Sequence, residues 1–262
     1  MPPLTTLNIC LGHLAPPTQL SCHADLMIAP AWVAGQRRLA IVEDASFGPA
    51  GDTLSEYAQL IWLSEHLHEI AAGFQFVRIF HYRRFTCRKP PAAGKRSNNQ
   101  PWSFALAESE IRQFDCEFGR SEVAELFNTP IEMTDGVLAQ YARVHVLEDL
   151  LHFSAFLLQR GILSEVEAAE FLAAKIFIPA CNIGVFQPRT YRMIFSVLKA
   201  AAHFIDSPYF IRRDGYQRRC GGFLLERLHS FLILKAIESG ICEPNYGHNV
   251  VVSQNTDVSI TC

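Results

Sequence analysis

The 262-residue sequence predicts an α/β fold in which helices cover one sheet and the C-terminal half is rich in helix. An apolar run at residues 6–12 ends at a glycine, which is typical of a strand followed by a loop. Residues 44–80 read in order as a turn, a long helix and a second apolar strand, which is the order of an α/β unit. We therefore expect a mixed or mostly parallel sheet that contains residues 7–10 and 76–80, within a single domain of residues 1–262.

The first third of the chain carries signals for further elements. Residues 38–44 predict another strand, and a turn cluster at 48–52 precedes the long helix. Asp52 or Thr53 is placed to cap that helix, and Gly73 to end it. The stretch 87–101, from Cys87 to Pro101, is rich in proline, glycine and basic residues and predicts a long flexible loop.

The second half of the chain reads as a series of helices. They are predicted at residues 136–160, 164–175, 188–205 and 221–239. Ser164 and Glu167 form a capping-box pattern at the start of the second of these helices. The tail after Cys242 is weakly patterned, so we expect it at the periphery of the domain.

Composition bounds the classes of function. The formal net charge of -3 argues against non-specific binding of nucleic acid. No apolar run reaches about 18 residues, so no membrane span is expected. The N-terminus lacks the basic and apolar regions of a secretory signal, and the eight scattered cysteines include no C-x-x-C pair. These features predict a cytoplasmic protein with free thiols and no compact zinc site.

A cluster of hydrogen-bond donors follows the predicted strand at 76–80. The segment FQFVRIFHYRRFT places His81, Tyr82, Arg83 and Arg84 where the strand should end, which is a common position for a ligand in an α/β sheet. Arginine suits phosphate because its planar fork makes paired, charge-assisted hydrogen bonds. On strand alternation, His81 and Arg83 would share one face and the other two residues the opposite face. The segment is an anion site, a surface basic cluster or part of a structural salt bridge.

A polar stripe runs along the predicted helix at 136–160. Tyr141, His145, Asp149 and His152 fall at helical spacing on one side, opposite an apolar side formed by residues 144, 147, 151 and 158. Such a stripe is either the wall of a site or a solvated face with a local ion pair.

A carboxylate stands within a strongly apolar helix near the C-terminus. Glu226 and Arg227 follow two glycines in the segment CGGFLLERLHSF. Because burial of an unpaired carboxylate is costly, Glu226 needs a partner, which could be Arg227, another arginine or a sugar hydroxyl. A carboxylate among apolar residues is also the form that a general base takes.

Four motifs in order resemble those of a bacterial family that is described as a domain of unknown function. Its members look like GT-A glycosyltransferases and occur in capsule, exopolysaccharide and O-antigen gene clusters. The matching segments are HYRRF at 81–85, YARVHVLEDL at 141–150, NIGVF at 182–186 and GFLLERL at 222–228. The resemblance spans residues 7–239 and implies a GT-A-like, Rossmann-like sandwich that binds a nucleotide sugar.

The resemblance implies a role for each matching residue. His81, Arg83 and Arg84 would hold the diphosphate of the donor, and Glu226 or Asp149 would be the base that activates the acceptor hydroxyl. Contacts to the sugar or acceptor would come from Tyr141, His145, Asn182 and Arg227. We expect His81, Tyr141, His145, Asp149, Asn182 and Glu226 to line one concave pocket.

The implied chemistry needs positive charge at the leaving diphosphate. Many GT-A enzymes supply it with a metal held by an Asp-x-Asp motif, and no Asp-x-Asp occurs in this chain. We therefore expect no cofactor and no metal, with the cationic side chains in its place. If a divalent metal does bind, Asp115 and Glu117 are the first candidates.

The predicted function is transfer of a sugar from a nucleotide-activated donor to a glycan or lipid-linked glycan acceptor in the assembly of surface polysaccharide. No nucleic-acid partner is expected, and peripheral attachment to the inner face of the membrane is compatible with this role. Two alternatives stay open. One is a non-catalytic relative that binds a nucleotide sugar or glycan and serves a partner enzyme, and the other is an anion-binding regulatory domain unrelated to sugars.

Overall fold

The structure is a computed structural model of the chain. It describes residues 6–12, 14, 16–29, 38–39, 51–92, 95–97, 100–119, 124–243 and 245–253. The strands are β1 (Thr6–Leu11), β2 (Leu26–Ile28), β3 (Arg38–Leu39), β4 (Phe76–His81), β5 (Arg84–Cys87), β6 (Lys95–Arg96), β7 (Ser103–Ala107), β8 (Phe127–Asn128), β9 (Ile131–Glu132), β10 (Ile176–Phe177), β11 (Gly184–Phe186) and β12 (Tyr246–Ser253).

The described part of the chain contains eight α-helices. They are α1 (Thr18–Ser21), α2 (Gly51–Leu54), α3 (Glu56–Ile70), α4 (Gly136–Val144), α5 (Leu147–Gln159), α6 (Glu165–Ala173), α7 (Pro188–Ala202) and α8 (Cys220–Glu238). The described residues include three 3-10 segments, at Glu108–Phe118, His203–Asp206 and Gly215–Arg219. Within the described part of the chain, no helix combines the length and apolar character that crossing a membrane requires.

One mixed sheet forms the centre of the molecule, which confirms the predicted α/β class. Its strand order is β3-β2-β1-β4-β5-β12-β7-β6, with β11 added beside β4 and β8 beside β12. The first four strands of this order are parallel, and both β1 and β4 are buried along their whole length. Their carboxyl ends therefore meet at one edge of the sheet. The rest of the strand predicted at 38–44 lies outside the described residues.

Packing on the two faces of the sheet gives the fold its layers. On one face, Leu7, Ile9 and Ile79 belong to a core that α3, α7 and α8 complete. On the other face, Cys10 and Phe80 pack with aromatic side chains of the 3-10 segment Glu108–Phe118. Because both faces of the sheet are covered, β1 and β4 are buried on both sides, as parallel strands in α/β folds commonly are.

Three expectations about the course of the chain are wrong. The tail is not peripheral, because β12 pairs with β5 on one side and β7 on the other and Val250 is fully buried. The stretch 87–101 is not simply a loop, because it contains β6, which pairs with β7. The helix before β4 is not capped by Asp52 or Thr53, since both lie inside α2 and a break at Ser55 separates α2 from α3.

The predicted helix at 136–160 is two helices. His145 is extended, with φ -136° and ψ 177°, and it separates α4 from α5. The side chain of Gln217 donates to the Val144 carbonyl at 3.1 Å, so one carbonyl left by the break has a partner. The side of this segment that was predicted to be apolar and buried faces outward instead. Val144 and Leu151 are about half exposed, whereas Tyr141 and Asp149 are buried.

The capping box at the start of α6 is confirmed. The Ser164 hydroxyl accepts from the Glu167 amide, and the Glu167 carboxylate accepts from the Ser164 amide at 2.8 Å. Pro188 occupies the first position of α7, as proline does when it begins a helix.

Candidate functional site

A cavity of about 1300 Å³ opens beside the carboxyl end of β4. Its walls come from the β4–β5 turn, the start of α3, the loop before β11, the α4–α5 break, the first turns of α8 and the middle of β12. Six arginines and four carboxylates line it: Arg83, Arg84, Arg96, Arg143, Arg219, Arg227, Glu56, Glu132, Asp135 and Glu226. The site is therefore polar, charged and on balance cationic.

The β4–β5 turn places three predicted residues in this cavity. His81 pairs directly with Arg84 across the hairpin, so both side chains lie on the same face of the sheet. Arg83 occupies the turn and also lines the cavity, while Tyr82 is buried. The expected division into two faces by simple alternation is wrong, because the chain reverses within two residues. A Cβ at Gly12 would lie 2.8 Å from the Tyr82 Cβ, so glycine is required where Tyr82 packs.

Three arginines of the cavity have no carboxylate partner among the described residues. Arg84 donates to the Gln100 side chain at 3.3 Å, and Arg96 donates to the Pro101 carbonyl at 3.0 Å and lies over the Phe104 ring. Burial and the neighbouring charge of Arg83 lower the pKa of Arg84. Arg83, Arg84 and Arg96 thus form no ion pair with a described carboxylate, although Glu56 and Glu226 lie within electrostatic range of Arg84. This excess of guanidinium groups favours an anionic ligand.

Glu226 and Arg227 form an ion pair at the opposite wall. The Arg227 Nη1 donates to Glu226 Oε2 at 3.0 Å and to the Phe223 carbonyl at 3.2 Å. Arg227 is buried, and its guanidinium also lies 5.5 Å from the centre of the Tyr141 ring. Glu226 is less enclosed, with 28% of its side chain exposed in the cavity. Of the partners that the sequence left open, Glu226 therefore pairs with Arg227. The carboxylate also faces the space that a ligand would fill.

Sequence reasoning missed a second carboxylate, Glu56. Its Oε2 accepts from the Ser55 hydroxyl and from Arg219 Nη2 at 3.3 Å, and its Oε1 accepts from Asn182 Nδ2 at 3.4 Å. Burial raises the pKa of this carboxyl. His81, the Ser55 hydroxyl, the Glu56 backbone amide and Arg219 together outweigh burial and lower the pKa to about 2. Glu56 is therefore ionised at any working pH.

Close approach of two helices positions Glu56. Ser55 has φ 56°, a left-handed conformation that is unusual for a residue with a side chain. A Cβ at Gly222 would lie 2.9 Å from the Leu54 carbonyl oxygen and 3.1 Å from the Ser55 Cβ. The glycine thus lets α8 pack against the α2–α3 break. The signal in the sequence was the pair of glycines before Glu226, but nothing in the sequence indicated which segment they contact.

The α4–α5 break supplies an aromatic wall. The His145 ring stacks on Phe223 at 4.1 Å and lies 6.2 Å from Tyr216, and its Nδ1 is 3.3 Å from Gln217 Oε1. Burial and Arg227 lower the pKa of His145 to about 4, although the contact with Gln217 opposes this shift. His145 is therefore a neutral ring at physiological pH. Tyr216 is half exposed and was not predicted.

Two of the six residues expected in one pocket do not line it. His81, His145, Asn182 and Glu226 do, and so does Arg227. Tyr141 is fully buried behind the wall and contacts the His145 ring. Asp149 is also buried, and its carboxylate is held by Arg213 through Nε at 3.1 Å and Nη2 at 2.8 Å.

Asp149 therefore ties the segment before α8 to α5 and does not face the cavity. His152, the last member of the polar stripe, makes a contact of 3.1 Å with the Tyr209 carbonyl in the same segment.

The fallback metal ligands do not line the cavity. Asp115 pairs with His23 at 3.1 Å, and Glu117 accepts from the Arg88 amide at 3.0 Å. Among the residues that the structure describes, no group of three or more histidine, cysteine, aspartate or glutamate side chains is arranged to hold a metal ion.

Comparison with known proteins identifies the fold. No family model matches the chain, and no curated protein matches it. A solved structure does: the apo structure of WbbM, a bifunctional glycosyltransferase, superposes with a TM-score of 0.66 at 16% sequence identity. The match covers 95% of this chain and 46% of that chain, so this chain spans about half the length of WbbM. The described fold is accordingly a GT-A-like α/β fold of the kind found in a glycosyltransferase.

Proposed function

We propose that the protein is a glycosyltransferase that moves a sugar from a nucleotide-activated donor to a glycan acceptor during the assembly of surface polysaccharide. The observation that carries the proposal is one cavity in which Arg83, Arg84 and Arg96 form no ion pair with a described carboxylate while Glu226 faces the same space. The likeness of the fold to a glycosyltransferase supports this assignment.

The cationic hairpin suits the departing group. When the bond between the anomeric carbon and the diphosphate oxygen breaks, its electron pair goes to the diphosphate and negative charge grows there. His81, Arg83 and Arg84 are placed to bind that charge before and during bond cleavage. The Arg84 guanidinium is held by Gln100 and the Arg83 guanidinium lies over the Tyr82 ring, so we expect little reorganisation as the charge develops.

Glu226 is the base of the proposed reaction. The acceptor hydroxyl oxygen forms the new bond to the anomeric carbon, and its proton passes to the Glu226 carboxylate. Arg227 orients that carboxylate through Oε2. Asp149, the other candidate base, is bound by Arg213 and lies outside the cavity, so we assign it no proton transfer.

The aromatic wall suits a glycan acceptor. The rings of Tyr216, His145 and Phe223 pack against one another and line the same cavity as Glu226. Sugar rings pack well against such faces, and the polar groups between them can bind hydroxyls. A lipid-linked glycan would bring the protein to the inner face of the membrane, which sedimentation with anionic lipid vesicles would test.

We infer that the reaction needs no metal. The inference rests on the sequence, which has no Asp-x-Asp, and on the cationic side chains at the carboxyl end of β4, where GT-A enzymes carry that motif. Asn182 and Arg227 complete the set of residues that we expect to contact sugar or acceptor.

The decisive experiment is a panel of nucleotide sugars incubated with the protein and candidate glycan acceptors, with release of nucleoside diphosphate as the readout. Release that depends on acceptor supports the proposal. Tight binding without release in the presence of acceptor would instead identify a non-catalytic relative. Equal affinity for plain phosphate and for nucleoside diphosphates would indicate an anion-binding domain with no specificity for nucleotides.

A further inference from the structure

The cavity contains a carboxylate that the proposed reaction does not use. Glu56 lies at the first turn of α3, next to the cationic hairpin and across from α8. Two distant parts of the chain converge on it, Asn182 in the loop before β11 and Arg219 just before α8, and the adjacent Ser55 adds a further hydrogen bond. A surface glutamate does not require this support, so the arrangement calls for a role at the site.

The hydrogen bonds of Glu56 divide its two oxygens. Oε2 is occupied by the Ser55 hydroxyl and the Arg219 guanidinium. Among the side chains that the structure describes, Oε1 accepts from Asn182 through a long hydrogen bond of 3.4 Å. The Glu56 backbone amide also donates to this carboxylate. Oε1 is therefore oriented by its neighbours but retains acceptor capacity for a ligand, since a carboxylate oxygen can accept more than one hydrogen bond.

An unfavourable backbone conformation and a close contact between helices hold this carboxylate in place. Ser55 adopts φ 56°, and Gly222 removes the side chain that would push α8 away from the α2–α3 break. Non-glycine residues in such conformations are concentrated at functional sites. The strain at Ser55 thus agrees with a site that requires Glu56 at a fixed position.

Neighbouring charges indicate which part of a ligand Glu56 meets. Glu56 lines the same cavity as His81, Arg83 and Arg84. It also lies within electrostatic range of His81 and Arg84, which are among the groups assigned to the diphosphate. In a nucleotide sugar the donor sugar is joined directly to the terminal phosphate, so a residue beside that phosphate meets the donor sugar before any acceptor.

We propose that Glu56 binds a hydroxyl group of the donor sugar through Oε1 and so distinguishes a nucleotide sugar from a nucleoside diphosphate. This inference rests on the proposed function. Glu56 stays ionised and is held by Arg219, so it acts as a fixed hydrogen-bond acceptor and not as the group that takes the acceptor proton. Asn182 then contacts both the Glu56 carboxylate and the donor sugar.

The test is Glu56→Gln, which keeps the size of the side chain but removes its charge. The nucleotide sugar of a panel of UDP, GDP and dTDP hexoses that wild type binds best is titrated into both proteins by calorimetry, together with the matching nucleoside diphosphate. We expect the gain in affinity that the sugar provides in wild type to fall by about 10- to 100-fold in the variant, because a hydrogen bond to a charged group is lost. We expect the nucleoside diphosphate itself to bind at least as tightly, because a negative charge near the phosphates is gone.

Two control variants make the result specific. Glu69→Gln changes an exposed carboxylate on the same helix, outside the cavity, and should bind both ligands as wild type does. Ser55→Gly keeps the carboxylate, removes the hydroxyl that holds Oε2 and relieves the left-handed backbone. Ser55→Gly should lose part of the affinity gain that the sugar provides, with no fall in Tm. The proposal is therefore testable even if Glu56→Gln fails to fold.

The outcomes separate this inference from the function on which it rests. If wild type binds nucleoside diphosphate but no nucleotide sugar, or binds neither, the proposed function falls and this inference with it. If wild type binds and turns over a nucleotide sugar while folded Glu56→Gln keeps the full affinity gain, only the role of Glu56 is overturned. A parallel loss of affinity for both ligands would show that Glu56 merely supports the cavity, which also overturns the proposal.

Discussion

Replacement of Glu226 with glutamine separates a catalytic role of this residue from a structural one. The variant keeps the shape of the side chain and an oxygen that can accept from Arg227, but it removes the charge and the ability to take a proton. As a proton acceptor in the proposed reaction, Glu226 should contribute about 10²- to 10⁴-fold to turnover. Glu226→Gln should lower turnover by that factor.

The structure limits the cost of this change to stability. Removal of one member of a fully buried ion pair costs about 3–5 kcal/mol, because the other charge is left without a partner. Here 28% of the Glu226 side chain is exposed, and Arg227 keeps its hydrogen bonds to the Phe223 carbonyl and to Gln140. We therefore expect the free energy of unfolding to fall by only about 1–2 kcal/mol. At about 2–4 °C per kcal/mol for a chain near this size, Tm should fall by roughly 2–8 °C.

The assay combines three measurements on the same protein: the release of nucleoside diphosphate in the presence of acceptor, the affinity for nucleoside diphosphate, and Tm. We expect affinity close to that of wild type, because Glu226 does not belong to the hairpin that binds the diphosphate. Glu238→Gln is the matched control, since Glu238 lies on the same helix, is 72% exposed and pairs with Lys235 at 3.0 Å. It should change none of the three quantities appreciably.

Full turnover in a folded Glu226→Gln protein would refute the assignment of Glu226 as base. Tm could instead fall well beyond the expected range, with turnover lost in proportion to the folded fraction. That result would show that Glu226 only stabilises the fold by pairing with Arg227. Either result would leave the cavity without a proton acceptor that we have identified.

Four further predictions follow from the same geometry. Arg84→Ala should weaken binding of nucleoside diphosphate by about 10- to 100-fold in a calorimetric titration, and unchanged affinity would remove the hairpin from the site. Gly222→Ala should lower the free energy of unfolding by about 1–3 kcal/mol in urea titrations because its Cβ meets the Leu54 carbonyl, whereas Gly51→Ala, which meets nothing within 4 Å, should not. The pKa of His145 in the folded protein is lowered to about 4, so the unfolded chain binds the proton more readily. The free energy of unfolding of wild type should therefore fall as pH falls from about 6.5 to 4. His145→Gln should lack the part of this fall that His145 causes. Turnover should survive EDTA, and loss that manganese restores would contradict a metal-independent reaction.

Local patterns accounted for much of the fold. The strands β1 and β4, the stop of the helix near Gly73, the capping box at Ser164 and the start of α7 at Pro188 all follow from signals within a few residues. The sequence also predicted which edge of the sheet carries the candidate site, because HYRR comes directly after a buried strand. These features depend on backbone propensity and on alternation of apolar residues, which a single sequence displays.

Other features depend on partners far away in the chain. The strand β12 lies between β5 and β7, which precede it by about 150 residues, and its own sequence carries no sign of that pairing. The break at His145 is stabilised by Phe223 and Gln217, so a segment with helical periodicity is interrupted by tertiary contacts. Such contacts outweigh local propensity because each contributes as much free energy as several residues of helix preference.

The sequence by itself determined that this protein has an α/β fold and that a cationic group stands at the end of a central strand. Only the tertiary structure decided which carboxylates face that group: it brought Glu226 and Glu56 into the cavity and turned Asp149 toward Arg213. The physical reason is that an ion pair requires side chains within about 4 Å, and residues 56, 81 and 226 reach one cavity only after two helices have packed on the sheet.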